Sequence, residues 1–267
     1  PIRMEMCLPS THCNIGGETP SDDNPACLMC VRNFKFHRAP DRSLEIASHI
    51  KPHMPRLIEL FIGGVAEPFW KDKIFSVLSV LDFKSHADHI QLRTVTNGTT
   101  LTQQTINKLL EIPRFHMYAS IDAGSSDTFR KLRRIDAYDK IKSNIAEVCR
   151  RKSQNQVVEI HNTINLLNVH ELVNMVRDAK EMGVNSLGLN ITHNPGFGYQ
   201  NIPDLNGILL NPSNAHLFEE WHNKAIDEAK KIGVHITTYK KFSSEKPEPE
   251  LKLVSISLPA AKPVRML

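Results

Sequence analysis

The sequence predicts an α/β fold: a partial TIM-like (β/α)6 barrel of parallel strands with outer helices. Three observations predict it. Strand-like apolar runs alternate with helix-like periodic runs about six times, the order that builds parallel βαβ units. No G-x-G-x-x-G follows the first strand, as a dinucleotide-binding doubly wound sheet would require, and this favours a barrel. The length, 267 residues, suits one large α/β domain able to bury its core without disulfide staples.

The elements follow in order. IRMEMCL (2–8) reads as strand one, and a polar loop (9–26) rich in Gly, Pro, Asp and Ser follows it. RSLEIASHIKPH (42–53) reads as a helix stopped by Pro55, and RLIELFIGG (56–64) as strand two ending in glycines. Residues 67–87 carry apolar side chains at helical spacing, with a proline tolerated near the start. Strand three is 89–98, then a helix over 100–112 capped by Thr102 or Thr100. Strand four is 115–124. Two helical runs, 126–134 and 138–152, are split near Ile135–Ala137. Strand five is 157–167, followed by a helix over 168–183 with Gly183 as its stop. Strand six is 185–194. A Pro/Gly/Asn-rich loop (195–212) leads to a long helix, 213–232, ended by Gly233. VHITTYKKF (234–242) is a candidate further strand. The proposed division is a barrel over 1–242 and an irregular tail or linker to a further extension over 243–267.

A formal charge of +4 is mild and does not by itself require nucleic acid or a membrane. The apolar runs fall short of the roughly 18 residues a membrane span needs, and PIRMEM lacks a signal pattern. A cytoplasmic protein is expected. The chain starts at Pro1 rather than Met and reads as a fragment or a processed chain.

Four of the five cysteines lie between Cys7 and Arg32, and the last three fall as C-x13-C-x2-C at Cys13, Cys27 and Cys30. An odd count with a C-x2-C pair favours a metal over a disulfide framework. Three thiolates match a four-iron cluster with one iron open, or an incomplete zinc site. Chemistry in a parallel barrel sits at the C-terminal ends of its strands. There the sequence sets Gly63, Gly64 and Glu67, then Asn97 and Gly98, Ser120 and Asp122, Asn162, Thr163 and Asn165, and Asn190, Thr192 and His193. Each alone fits a turn; their recurrence at one end, around three cysteines, points to a site.

The order and spacing of Cys13-Asn14, Cys27-Leu28-Met29-Cys30-Val31-Arg32, GGVAEP (63–68), TNGTTL (96–101), SIDAG (120–124), KLRR (131–134) and NTINLLNVHEL (162–172) resemble the radical S-adenosylmethionine (radical SAM) enzymes, particularly those with a SPASM-type C-terminal extension. The resemblance runs from about Ile2 to Phe242. The chain departs from the family's close CxxxCxxC, with thirteen residues standing where three are usual. A longer flexible loop adds little closure entropy, and 14–26 is expected to form a surface excursion. Val65 and Ala66 also replace glycines before Glu67.

The resemblance implies a [4Fe-4S] cluster on Cys13, Cys27 and Cys30. It implies SAM at the open iron, reductively cleaved to a 5′-deoxyadenosyl radical that abstracts hydrogen from a peptide or small-metabolite substrate. By motif match, Gly63, Gly64 and Glu67 would meet the SAM ammonium. Ser120 and Asp122 would lie near the carboxylate or ribose, and Arg133 would pair with the carboxylate. Asn97 and Asn162 would contact the ribose, and Met29 the adenine. His161, His193, Asn190 and Tyr199 are candidates to face the substrate. The implied electron donor is a protein such as flavodoxin or ferredoxin. SPASM-type enzymes usually carry later cysteines for auxiliary clusters, and this chain has none after Cys149.

Two other readings compete. One is a non-catalytic zinc-binding barrel using Cys7, Cys13, Cys27 and Cys30, although Cys7 within strand one is expected in the core. The other is an RNA- or nucleic-acid-modifying protein using FRKLRR (129–134) and CRRK (149–152). Acidic neighbours Asp136, Asp139 and Glu147 make those runs solvated helix faces instead, and nucleic acid is not expected. Cys149 is expected as a packed helix residue.

Overall fold

The structure, a computed structural model, describes residues 2–9, 12–21, 23–30, 32, 40–191 and 207–239. Seven parallel strands form one open sheet in chain order. They are β1 (Ile2–Cys7), β2 (Leu57–Gly63), β3 (Gln91–Thr96), β4 (Phe115–Ser120), β5 (Gln156–Ile164), β6 (Ser186–Ile191) and β7 (Ile236–Thr238). The helices are α1 (Ser43–Ile50), α2 (Lys73–Val80), α3 (Gln103–Leu110), α4 (Ser126–Arg133), α5 (Tyr138–Arg151), α6 (Leu172–Met182) and α7 (Ala215–Ile232). This is the partial barrel the alternation predicts, with one strand more than six. The expected tail, 243–267, lies outside the described residues.

Period-two alternation assigns the strand faces. Leu92, Thr94 and Thr96 of β3 and Phe115, Met117 and Ala119 of β4 are buried with the helices, while the residues between them turn to the inner face. Helix α5 buries Ile141, Ile145 and Val148, and α6 buries Leu172, Met175, Val176 and Ala179. Each fully buried aliphatic side chain contributes about 1.5–3 kcal/mol. The caps follow sequence chemistry. Thr102 accepts from Thr105 N at 3.2 Å to start α3, and Ser125 accepts from Thr128 N at 3.3 Å to start α4.

Three expectations change. The helix expected over 67–87 shrinks to α2, because Lys71, Asp72 and Asp82 adopt φ of 52°, 56° and 52° and break it on both sides. Strand four stops at Ser120, and Asp122 then takes a left-handed φ of 62°. Cys7 is exposed rather than core, because it shares the alternate face with exposed Arg3 and Glu5 on the edge strand β1.

Candidate active site

The parallel register brings the strand ends to one rim, with Cys7 opposite Gly63, Thr96 opposite Ala119, Ser120 opposite His161 and Thr163 opposite Asn190. A cavity of about 470 Å³ opens there. That volume is within the ordinary range for a small-molecule site. Cys13, Cys27 and Cys30 all line it, together with Met29, Gly64, Glu67, Asn97, Ser120, Asp122 and Arg133. Cys7 does not line the cavity, so the four-cysteine set is not assembled among the described residues. Gly63 is not a lining residue either: a Cβ there would meet Phe61 Cζ at 2.7 Å, which explains the glycine by packing.

Local bonds sew the cysteine loop to the barrel. Just before Cys13, the His12 carbonyl accepts from Glu67 N at 2.7 Å, and the His12 ring bonds the Trp70 carbonyl at 2.6 Å. Just after it, Asn14 donates to Thr99 Oγ1 at 2.7 Å and accepts from Asn97 Nδ2 at 2.9 Å. The thirteen-residue excursion is pinched shut at its base. Gly16, at φ 77°, lies so close to Ala26 that a Cβ would stand 2.8 Å from its nitrogen. Buried Arg32 donates to the Ile15 carbonyl at 2.7 Å and to the Gly17 carbonyl. Beyond the pinch, Glu18, Thr19, Ser21, Asp23 and Asn24 are exposed, the surface excursion expected. Cys30 N donates to Cys27 O at 2.9 Å, a tight turn that carries both thiols, and Leu28 N donates to Leu132 O at 2.8 Å.

Burial pushes the Cys13 thiol up to about 11, with Arg32 among the groups opposing the rise. Burial raises the Cys30 thiol as well. Thiols in this setting hold their protons until a cation or metal stabilises the thiolate. Among the described residues, no group of three or more His, Cys, Asp or Glu is already drawn together as for a metal ion. The three thiols instead share one cavity wall.

Glu67 is fully enclosed at 1% exposure. Its carboxylate accepts from Asn97 N at 2.6 Å, Thr96 Oγ1 at 2.7 Å, Thr100 Oγ1 at 3.2 Å and Phe69 N at 3.3 Å. Three of the four donors serve Oε1, and Oε2 keeps acceptor capacity beyond its bond from Asn97. Burial raises its carboxyl pKa against these bonds.

The lining also carries a charge pair. Arg133 Nη2 lies 2.5 Å from Asp122 Oδ2, and Nη1 reaches Cys27 Sγ at 3.9 Å. Arg133 is therefore not a solvated helix residue: its side chain is 13% exposed. Burial opposes its charge, but Asp122 and the neighbouring cysteines raise its pKa overall. Asp122 is fixed by bonds from Thr163 N at 2.6 Å to Oδ1, from Asn168 Nδ2 at 2.8 Å to its carbonyl, and from its own N to Asn162 Oδ1 at 2.7 Å. Asn162 thus stands behind Asp122 rather than on the cavity wall. Glu171 completes the corner by accepting from Gly124 N at 2.8 Å and Thr128 Oγ1 at 2.8 Å. Asn165 donates to Met29 Sδ at 3.2 Å.

Sequence reasoning missed His12, Asn168 and Glu171. Each has a backbone partner in a distant segment, at Trp70, Asp122 and Gly124 respectively, which no local spacing reveals. Thr163 and Asn190 line the cavity, as their strand ends suggested, while His161 stands below it. Thr192, His193 and Tyr199 lie outside the described residues.

A parallel partial barrel whose strand-end rim carries three thiols and a buried Asp–Arg pair has the architecture of a barrel enzyme. The chain belongs to the radical SAM superfamily: the model of that superfamily matches residues 11–179, well over half of the chain. Members of that superfamily bind a [4Fe-4S] cluster and SAM. No curated protein sequence matches the chain. Among solved structures, the fold is similar to Streptococcus suis SuiB bound to S-adenosylmethionine, with TM-score 0.66 and 12% identity over 90% of this chain and 51% of SuiB. SuiB bound to the precursor peptide SuiA gives TM-score 0.65 and 12% identity, over 90% of this chain and 49% of that one. Native anSMEcpe with bound AdoMet and Cp18Cys peptide gives 0.58 and 14%, over 89% and 63%. The chain spans about half the length of the SuiB chains, and at these identities the likeness is one of fold.

Proposed function

We propose that the chain is a radical SAM enzyme in which Cys13, Cys27 and Cys30 hold a [4Fe-4S] cluster and the adjoining cavity takes SAM, for hydrogen abstraction from a peptide or small molecule. The observation that carries this reading is that three thiols from two separated segments line one cavity of about 470 Å³, ringed by polar strand ends. The donor set fits the groups. Three thiols leave one iron of a four-iron cluster open. Arg133, which lines the cavity, has a buried Nε with no hydrogen-bond partner among the described residues. Such a donor suits a carboxylate. When bound, a cluster with one open iron supplies the electron that splits the S–C5′ bond of SAM.

This chain's own residues would orient and enclose. Arg133, held by Asp122, presents a fixed cation to the SAM carboxylate. Glu67 Oε2 and the backbone at Gly64 accept from the ammonium. Ser120 and Asn97 bond the remaining polar edge, and Met29 packs on the adenine while Leu132 and Val95 exclude water. A peptide substrate is supported by the peptide-bound SuiB and anSMEcpe structures of like fold. We assign the barrel to 1–242 and a tail or linker to 243–267, a protein donor such as flavodoxin or ferredoxin, and a cytoplasmic setting. No helix among the described residues is long and apolar enough to cross a membrane.

Anaerobic reconstitution with iron and sulfide tests the reading. The expected product is a brown protein with about four irons per chain, which bleaches on reduction and releases 5′-deoxyadenosine from SAM. A colourless protein holding stoichiometric zinc would sink it, as would a Cys30→Ala variant that still cleaves SAM.

A further inference from the structure

Each of the three cavity thiols receives an N–H donor, and the donors differ in charge. Arg32 N donates to Cys30 Sγ at 3.5 Å, and Asn97 Nδ2 to Cys13 Sγ at 4.0 Å. Both are neutral amides. Cys27 Sγ accepts from a cation, Arg133 Nη1, at 3.9 Å. A hydrogen bond from an ionised donor is roughly twice as strong as a neutral one.

The main chain pins this contact. Leu28 N donates to Leu132 O at 2.8 Å, so the residue after Cys27 is tied to the residue before Arg133. On the other side, Arg134 Nη1 donates to Ala26 O at 3.4 Å. The turn that bears Cys27 is thus clamped to the end of α4 at both of its neighbours. Three basic residues share the last turn of α4: Arg130, Lys131 and Arg133. Arg130 points outward to Asp127 and Asp136, and Lys131 is exposed. Arg133 is the one of the three that turns to the cavity.

Its guanidinium works along three edges. Nη2 lies on Asp122, Nη1 on Cys27, and Nε is the donor left for a SAM carboxylate. Little water screens this cation, since the side chains of Arg133 and Asp122 are 13% and 4% exposed. Burial opposes the charge, but Asp122 and then Cys27 favour it. Cys27 and Asp122 therefore share one buried cation. Reduction of a thiolate-bound cluster takes one electron from an outside reductant, with no bond made or broken. A cation at one of the sulfurs stabilises the reduced, more negative form, and hydrogen bonds to sulfur are among the terms that set the potential.

We infer that Arg133 is a positioning residue for the cluster as well as for SAM: through its bond to Cys27 it holds the reduction potential up, and Asp122 opposes it. The inference rests on the radical SAM reading of the cavity above.

The test uses the protein reconstituted with iron and sulfide, without SAM. Arginine carrying a heavy nitrogen isotope in the guanidinium only is incorporated, so that the main-chain N–H of Arg32 stays silent. Pulsed EPR of the dithionite-reduced wild type is expected to show a coupling to that isotope. Its absence overturns the inference without recourse to any variant. Redox titration gives the second reading. Arg133→Gln is expected to lower the potential by about 59 mV or more, a roughly tenfold shift in the one-electron equilibrium, and to abolish the coupling. Asp122→Asn keeps the cation and is expected to raise the potential. A role confined to packing would move both variants the same way, and shifts of one sign overturn the inference. The double variant Arg133→Gln/Asp122→Asn buries no lone charge and guards against a single variant that fails to fold. It should lie below wild type, and a potential at or above wild type overturns the inference. The two readings fail separately. A protein that takes up no iron removes the reading of the cavity. A loaded protein that cleaves SAM, with no arginine coupling and unmoved potentials, removes only this role of Arg133.

Discussion

Two buried arginines flank the cysteines, and they are held by opposite means. Arg133 faces Asp122, a full charge, in a corner where Thr163, Asn162 and Asn168 fix the carboxylate and its backbone. Arg32 faces the neutral carbonyls of Ile15 and Gly17, at the neck of a loop whose Glu18, Thr19, Ser21, Asp23 and Asn24 are exposed. The corner is a network in which each member needs the others. The neck is a pinch between one guanidinium and one close backbone approach. The corner therefore governs the stability of the fold near the site, and the neck governs whether Cys13 stays beside Cys27.

The sharpest break is Asp122→Asn, which leaves the Arg133 charge buried and unpaired. A loss of about 3–5 kcal/mol is expected, read as a lower urea midpoint at unchanged slope. Arg32→Met should cost less, about 1–3 kcal/mol, because it strands two neutral carbonyls and removes a buried charge along with its bonds. Its larger effect should appear in iron and sulfide bound per chain after reconstitution, which Asp122→Asn should change less in whatever fraction remains folded. If the two variants lose iron equally, the division of labour fails. Gly16→Ala comes next. The left-handed φ of 77° and the 2.8 Å approach to Ala26 should cost about 1–2 kcal/mol, again with reduced iron uptake.

Much of this was legible in the sequence because strand ends and cysteines announce themselves by type. Cys13, Cys27, Cys30, Ser120, Asp122 and Arg133 do line one cavity. The burial of Cys7 was misjudged although the signal was present: Arg3, Glu5 and Cys7 share one parity, opposite to the buried Met6. The hydrogen bonds that fix Glu67 were not legible, since its donors Thr96, Asn97 and Thr100 lie about thirty residues on. The pinch was invisible for a different reason. Its contacts end on backbone atoms of Ile15, Gly17 and Ala26, and backbone atoms leave no mark in side-chain spacing.

The smallest effect expected is also the most discriminating for the neck. The described residues of 18–24 lie beyond the pinch, and their contacts include a Ser21–Asn24 turn and an exposed Glu18–Lys71 ion pair at 2.9 Å. An exposed pair of this kind contributes about 0–1 kcal/mol, and shortening a flexible loop changes closure entropy by well under about 1 kcal/mol. Replacing 18–24 by two glycines, with Gly16, Gly17, Ala26 and Arg32 kept, should leave both the urea midpoint and the iron content near wild type. Retained iron would mean that the thirteen-residue spacing is a short cluster loop with an excursion tied off at its base. Iron lost from a variant that remains folded would mean that the excursion itself shapes the thiolate site, and that the sequence spacing, rather than the pinch, is what the site requires.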